Sequence, residues 1–186
     1  MQHDVILSSG PVTLRPLEVA DAPEFFDLVE AEAWQGMATP VPDSVEDVEQ
    51  QLHSMIESSG TQAWAVLYND EFVGRTALYG IVEGLRTEVG STYYGQQARG
   101  TVVNPTAKYL LLKHCFEERG FHRVALRCDS RNGRSRRAIA ALGATFEGTL
   151  RNYRRGADGS VVNLDYFSIT PEEWPQVEAR LKARLG

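Results

Sequence analysis

Apolar and polar positions recur along the chain with two periods, and the changes between them lay out the elements. Val12 to Leu17 alternates and predicts a first strand. Asp21-Ala22-Pro23-Glu24 has the form of a capping box and predicts a helix running to about Trp34. Ser44-Val45-Glu46-Asp47 starts a second helix in the same way, with Asp where Glu or Gln is usual. Gln35 to Asp43, between them, is a loop rich in Gly, Thr and Pro, and loops of this kind on a scaffold often touch substrate. Ala63 to Tyr68 and Phe72 to Tyr79 are strands joined at Asn69-Asp70, and Glu83-Gly84 turns the chain into a strand from Leu85 to Tyr94. Three antiparallel neighbours are implied.

From Thr106 to Glu118 the apolar residues Ala107, Leu110, Leu111, Cys115 and Phe116 fall at helical spacing. A strand at Arg123 to Cys128 follows, then a helix from Asn132 to Leu142 closed by Gly143, and a strand at Ala144 to Leu150. Asp158-Gly159 turns into a strand at Val161 to Ile169, and Thr170-Pro171-Glu172-Glu173 opens a last helix. The expected class is α/β (α+β): a single domain over residues 1–186, with a mixed, mostly antiparallel sheet of about seven strands and helices on both faces. No repeat or low-complexity stretch interrupts it.

One junction stands out. Gln97-Ala98-Arg99-Gly100-Thr101-Val102-Val103-Asn104-Pro105 carries the chain from a strand end to a helix start, with Asn104 placed to cap and Pro105 in the first turn. Such a junction presents backbone N–H groups and a partial positive charge to an anion, and Gly100 removes the Cβ that would hold a phosphate away. A plain β-to-α turn would also use a glycine here. A second junction, Asn132-Gly133-Arg134-Ser135, has the same setting, and two of them imply one shared ligand.

Composition narrows the ligand. The chain has 186 residues, 42% apolar and 24% charged, with no apolar run long enough to span a bilayer. Met1 to Gly10 lacks a basic start followed by an apolar stretch, so a cytoplasmic location is expected. Cys115 and Cys128 read as buried free thiols, the four histidines are scattered, and no metal site is expected. The net charge is −6, yet ten arginines fall between Arg119 and Arg155. A basic patch on an acidic protein, beside two anion-binding junctions, suits a multiply charged small ligand better than nucleic acid.

These residues resemble the GNAT superfamily of N-acetyltransferases, in the branch similar to the ribosomal-protein N-acetyltransferases (RimJ/RimL-like). The resemblance runs from Val12-Thr13-Leu14-Arg15-Pro16-Leu17 to Glu173-Trp174. Gln97 and Gly100 match the family's diphosphate-binding pattern, whereas Val102 stands where Gly or Ala is usual. Glu88-Val89-Gly90 and the run from Asn104 to Glu117 look like the branch's strand and long helix. Asn132-x-x-Ser135, Ile139, Leu142-Gly143-Ala144 and Phe146-Glu147-Gly148 match its second motif.

The resemblance implies acetyl-CoA as co-substrate, without a metal, and a primary amine on a protein N-terminus or small molecule as acceptor. Acetyl-CoA would be held by Tyr93, Tyr94, Gln97, Arg99, Gly100, Thr101, Val102, Val103, Asn104, Asn132, Ser135 and Arg136. Ser135 would protonate the departing thiolate and Glu88 would act as base, with Asp165 second. Asn132 and Ser135 would equally serve to satisfy first-turn N–H groups. Tyr93 and Tyr94 point to opposite faces of a regular strand, so at most one approaches the thioester. Some members of the branch carry a Glu where this chain has Arg154. A module that binds acetyl-CoA without turnover is the alternative, and the C-terminal hairpin is a candidate for pairing in a homodimer.

Overall fold

The computed structural model describes residues 3–34 and 36–185. Among them, eight strands form one sheet: β1 (Leu7–Ser9), β2 (Val12–Pro16), β3 (Gln62–Tyr68), β4 (Glu71–Val82), β5 (Arg86–Tyr94), β6 (Arg123–Asp129), β7 (Thr145–Arg155) and β8 (Val161–Ile169). Their order is β1-β2-β3-β4-β5-β6-β8-β7, and every neighbouring pair is antiparallel except β5 with β6. The strand beyond the expected seven is β1, three residues long and too short for its alternation to be read.

Helices cover both faces. On one side α4 (Val103–Lys113), α5 (Gly133–Leu142) and α6 (Trp174–Lys182) enclose the larger core with Val66, Leu78, Val89, Val124, Leu126 and Phe167. On the other, α1 (Ala22–Asp27), α2 (Ala31–Trp34) and α3 (Val45–Glu57) pack Phe25, Trp34, Val48 and Leu52 on Ala63, Ala65, Ala77 and Tyr93. Among the described residues no helix is long and apolar enough to cross a membrane.

The turn chemistry matches expectation where it is local. Asn69 and Asp70 take φ 50° and 66° in the β3–β4 hairpin, Ser44 Oγ accepts from Asp47 N at 3.1 Å, and Gly143 closes α5 at φ 94°. The expected helix from Asp21 to Trp34 is instead broken in two. Arg15 takes the Asp21 carboxylate at 2.6 and 2.9 Å, so the capping box belongs to Glu18 and Asp21 around a single 3-10 turn. At the break, Leu28 O accepts from the Tyr93 hydroxyl at 3.0 Å and that hydroxyl accepts from Glu30 N at 2.8 Å. Bonds to a distant strand replace the helical ones.

Candidate active site

The site begins where two strands part. β5 and β6 pair from Arg86↔Arg123 to Val89↔Leu126, but β5 continues to Tyr94 and β6 to Asp129 without pairing each other. On β5 the register with β4 passes from Ala77↔Gly90 to Arg75↔Tyr93, so Ser91 and Thr92 stand opposite Thr76, with Ser91 at φ 49°. Such a bulge bends its strand and raises the local twist. The wedge opens toward the carboxyl ends of the one parallel pair, where α/β sheets bind ligands.

The cradle closes the top of β5. Gly100 sits at φ 77°, and no atom lies within 4 Å of where a Cβ would stand, so the glycine answers to backbone conformation and faces open space. Val102 flanks α4 at φ −68° and ψ −13°, a conformation valine takes without strain. Asn104 does not cap the helix as expected, because α4 begins one residue earlier and Asn104 lies inside it. Thr101 does the capping: its Oγ1 accepts from Val103 N at 3.2 Å and donates to Ala98 O at 2.7 Å. Pro105 brings no N–H, and Thr106 N returns to Val102 O at 3.0 Å. Among the described residues the N–H groups of Gly100, Val102 and Asn104 meet no protein acceptor, so they are donors free for an anion. Gln97 is exposed, beside them.

Several expected contacts are redirected. The rings of Tyr93 and Tyr94 are buried on opposite faces, so what this part of β5 offers a ligand is backbone. Arg99 donates to Glu30 Oε2 at 2.7 Å, Tyr94 O at 2.8 Å and Tyr93 Oη at 3.3 Å; its charge is already matched. Arg136 pairs with the buried Asp165 and lies 4.9 Å from the Phe146 ring, turned toward β7 and β8. Asp165 also accepts from Thr149 Oγ1 at 2.6 Å, so both of its carboxylate oxygens are engaged within the protein.

At the second junction, Asn132 Oδ1 accepts from Ser135 N at 3.0 Å and so caps α5. The Ser135 side chain lies near the Cys128 thiol, whose ionisation burial pushes up. Glu88 stands beside the last β5–β6 pair, on the face of α1 to α3. It accepts from the Tyr79 hydroxyl and pairs with Arg127 Nε at 2.6 Å, while Arg127 Nη1 donates to Tyr166 Oη at 2.7 Å. Burial raises the Glu88 carboxyl above its ordinary range against the lowering effect of Tyr79 and Arg127.

A cavity of about 670 Å³ lies against both junctions, walled by Glu30 to Ala33, Gly36, Val41, Arg99, Asp129, Arg131 to Arg134, Ala157 and Asp158. Of the expected residues, Arg99 and Asn132 line it; Glu88 and Ser135 do not. Asp129 was not anticipated, although its place at the carboxyl end of β6 marks it. It accepts from Arg131 N at 2.9 Å and Arg131 Nη2 at 2.8 Å; burial works against the charge, but these bonds hold the carboxyl below its ordinary range. Arg154 on β7 donates to Gly36 O and Met37 O, each at 3.2 Å, and ties the loop after α2 to the far wall. The Gln35 part of that loop lies outside the described residues.

A sheet parted at its one parallel pair, with a donor-rich strand-to-helix cradle at the parting, is an arrangement suited to a small anionic ligand. Residues 12–145 match the model of the acetyltransferase (GNAT) domain. No curated protein matches the chain. Among solved structures, a protein from T. thermophilus provisionally assigned as an acetyltransferase is 35% identical, with 100% of both chains covered and a TM-score of 0.92. A GCN5-related N-acetyltransferase from Brucella melitensis is 26% identical, over 100% of this chain and 87% of its own, at TM-score 0.91. Mycobacterium smegmatis RimJ, solved in complex with CoA-disulfide, is 25% identical over 92% and 88%, at TM-score 0.78. The chain belongs to the GNAT acetyltransferase family.

Proposed function

We propose that the protein transfers an acetyl group from acetyl-CoA to a primary amine, on a protein N-terminus or a small molecule, by direct attack while both are bound. The observation that carries this reading is the wedge between β5 and β6, with the free N–H groups of Gly100, Val102 and Asn104 above it and the cavity beside it. Those N–H groups suit a diphosphate, and the unpaired backbone edge of β5 suits a carbonyl oxygen that gains charge during attack. Acetyl-CoA supplies an acyl group activated as a thioester. Ser135 supplies a proton for the leaving sulfur, and Glu88 takes one from the amine side through water, its raised affinity for protons favouring the task.

The engagement of Glu88 by Tyr79 and Arg127 favours a second reading, a module that binds acetyl-CoA without turnover. Release of CoA thiol separates the two. With N-terminal peptides, amino acids, polyamines and aminoglycosides as acceptors, the transferase releases thiol only when its acceptor is present. Release falls in Ser135→Ala, and in Gly100→Glu the loss includes acetyl-CoA binding. Binding without release on any acceptor favours the sensor, and no binding removes the cradle from consideration.

A further inference from the structure

On the reading that the cradle holds acetyl-CoA, two buried charges among the described residues, Arg75 and Lys108, have no counter-charge in contact with them; Arg75 lies against Phe25 and Trp34 on the α1–α3 side, and Lys108 lies on the side of α4. Lys108 stands in α4 and is 7% exposed. Its Nζ donates to Thr92 Oγ1 at 2.8 Å, which lies 2.9 Å from Thr76 Oγ1 and 3.4 Å from Gly90 O. An ammonium has three donors, and among the described residues Thr92 is the acceptor it meets. A buried cation without a counter-charge opposes folding.

Two features direct this charge at the ligand site. Lys108 lies one turn, about 6 Å, beyond Asn104 on the same helix, and helical side chains lean toward the N-terminus, here the cradle. Thr92, its partner, belongs to the bulge at which β5 leaves β6. The ammonium is thus set behind both parts of the site, and the nearby Ala98, Val103 and Ala107 are buried apolar residues across which charges interact more strongly than through water.

We propose that Lys108 is the counter-charge of the CoA diphosphate, acting from behind the cradle, so that acetyl-CoA binds the ammonium form and supplies the negative charge that the protein withholds. The other groups on this side of the sheet are uncharged or already paired, Asp165 with Arg136 among them. β4 and β5 present Thr76, Thr92 and Tyr94, β6 presents Cys128, and the continuation of α4 presents Cys115 and His114, the latter 2.7 Å from Glu118. β1, β2 and α6 present the apolar Leu7, Val12, Leu14, Val177 and Leu181. Burial pushes Tyr94, Cys115 and Cys128 up, whereas it brings Lys108 down to about 8.

The test is acetyl-CoA binding by titration calorimetry from pH 7 to pH 9.5, in two buffers of different ionisation enthalpy. The wild type is expected to hold its affinity up to pH 8, to lose up to about tenfold per unit above it, and to take up a proton on binding there. Lys108→Met is expected to bind about tenfold or more weakly at pH 7 and to show neither slope nor proton uptake, while melting higher than the wild type without ligand. A lysine with a merely structural role would lower the melting temperature when replaced. A wild type whose affinity is flat with no proton uptake overturns the proposal without recourse to a variant, as does a Lys108→Met protein of unchanged affinity. A wild type that binds no acetyl-CoA at any pH fails earlier, at the reading of the cradle itself.

Discussion

Gly100 and Lys108 carry opposite kinds of information. At φ 77° with open space around it, Gly100 is expected to cost about 1 kcal/mol of stability as Gly100→Ala, since the added methyl meets only a conformational penalty. Urea denaturation checks this, with Gly133→Ala as a nearby control expected to change little. Lys108 binds its proton less tightly when folded, at about 8 against 10.5, so between those values the unfolded chain holds more protons and wild-type stability rises with pH. Lys108→Met is therefore expected to gain about 2 kcal/mol at pH 7, a gain that shrinks toward pH 10.5, measured by denaturation at both. The glycine was legible in the sequence, because one residue type answers one backbone need. The lysine was not, because its burial and its distance from any carboxylate exist only after α4 has docked on β5. Thr101 was missed as a cap for a smaller reason: Asn104-Pro105 is the stronger local signal, and the helix starts two residues earlier than that signal places it.

At the scale of elements, local chemistry was read well and tertiary competition was not. The α3 cap, the Asn69-Asp70 hairpin and the α5 terminus follow from neighbouring residues alone. The expected helix up to Trp34 failed because Tyr93, 63 and 65 residues away from its partners, takes Glu30 N and Leu28 O at the break. Arg154 is another such long-range link. Arg154→Ala is expected to free the loop at Gly36 and Met37 and to raise KM for the amine several-fold, with KM for acetyl-CoA unchanged. Steady-state kinetics on both substrates check this; an equal rise in both would place the effect on the cradle instead. Asn132→Ala, by contrast, removes a helix cap and is expected to cost about 1 kcal/mol in a thermal or urea melt.

For the whole molecule, the mixed sheet with helices on both faces was legible from the order of elements, and the strand count fell short by the brief β1. One edge of the sheet is β7, which leaves Phe146, Leu150 and Tyr153 each more than two-fifths exposed along an edge strand. If a second copy pairs there, as the proposed homodimer requires, Leu150→Lys is expected to abolish concentration-dependent sedimentation while leaving the melting temperature in place.

The same sheet has a seam. Among the described strands, only the ladder between Arg86–Val89 and Arg123–Leu126 joins the first five to the last three. Under a pulling force across these two blocks, rupture starts at the wedge, where there is no pairing left to break, and runs down to Arg86. If acetyl-CoA occupies the wedge, it is expected to act as a rivet at the point where tearing begins, adding mechanical resistance to that of the ladder itself.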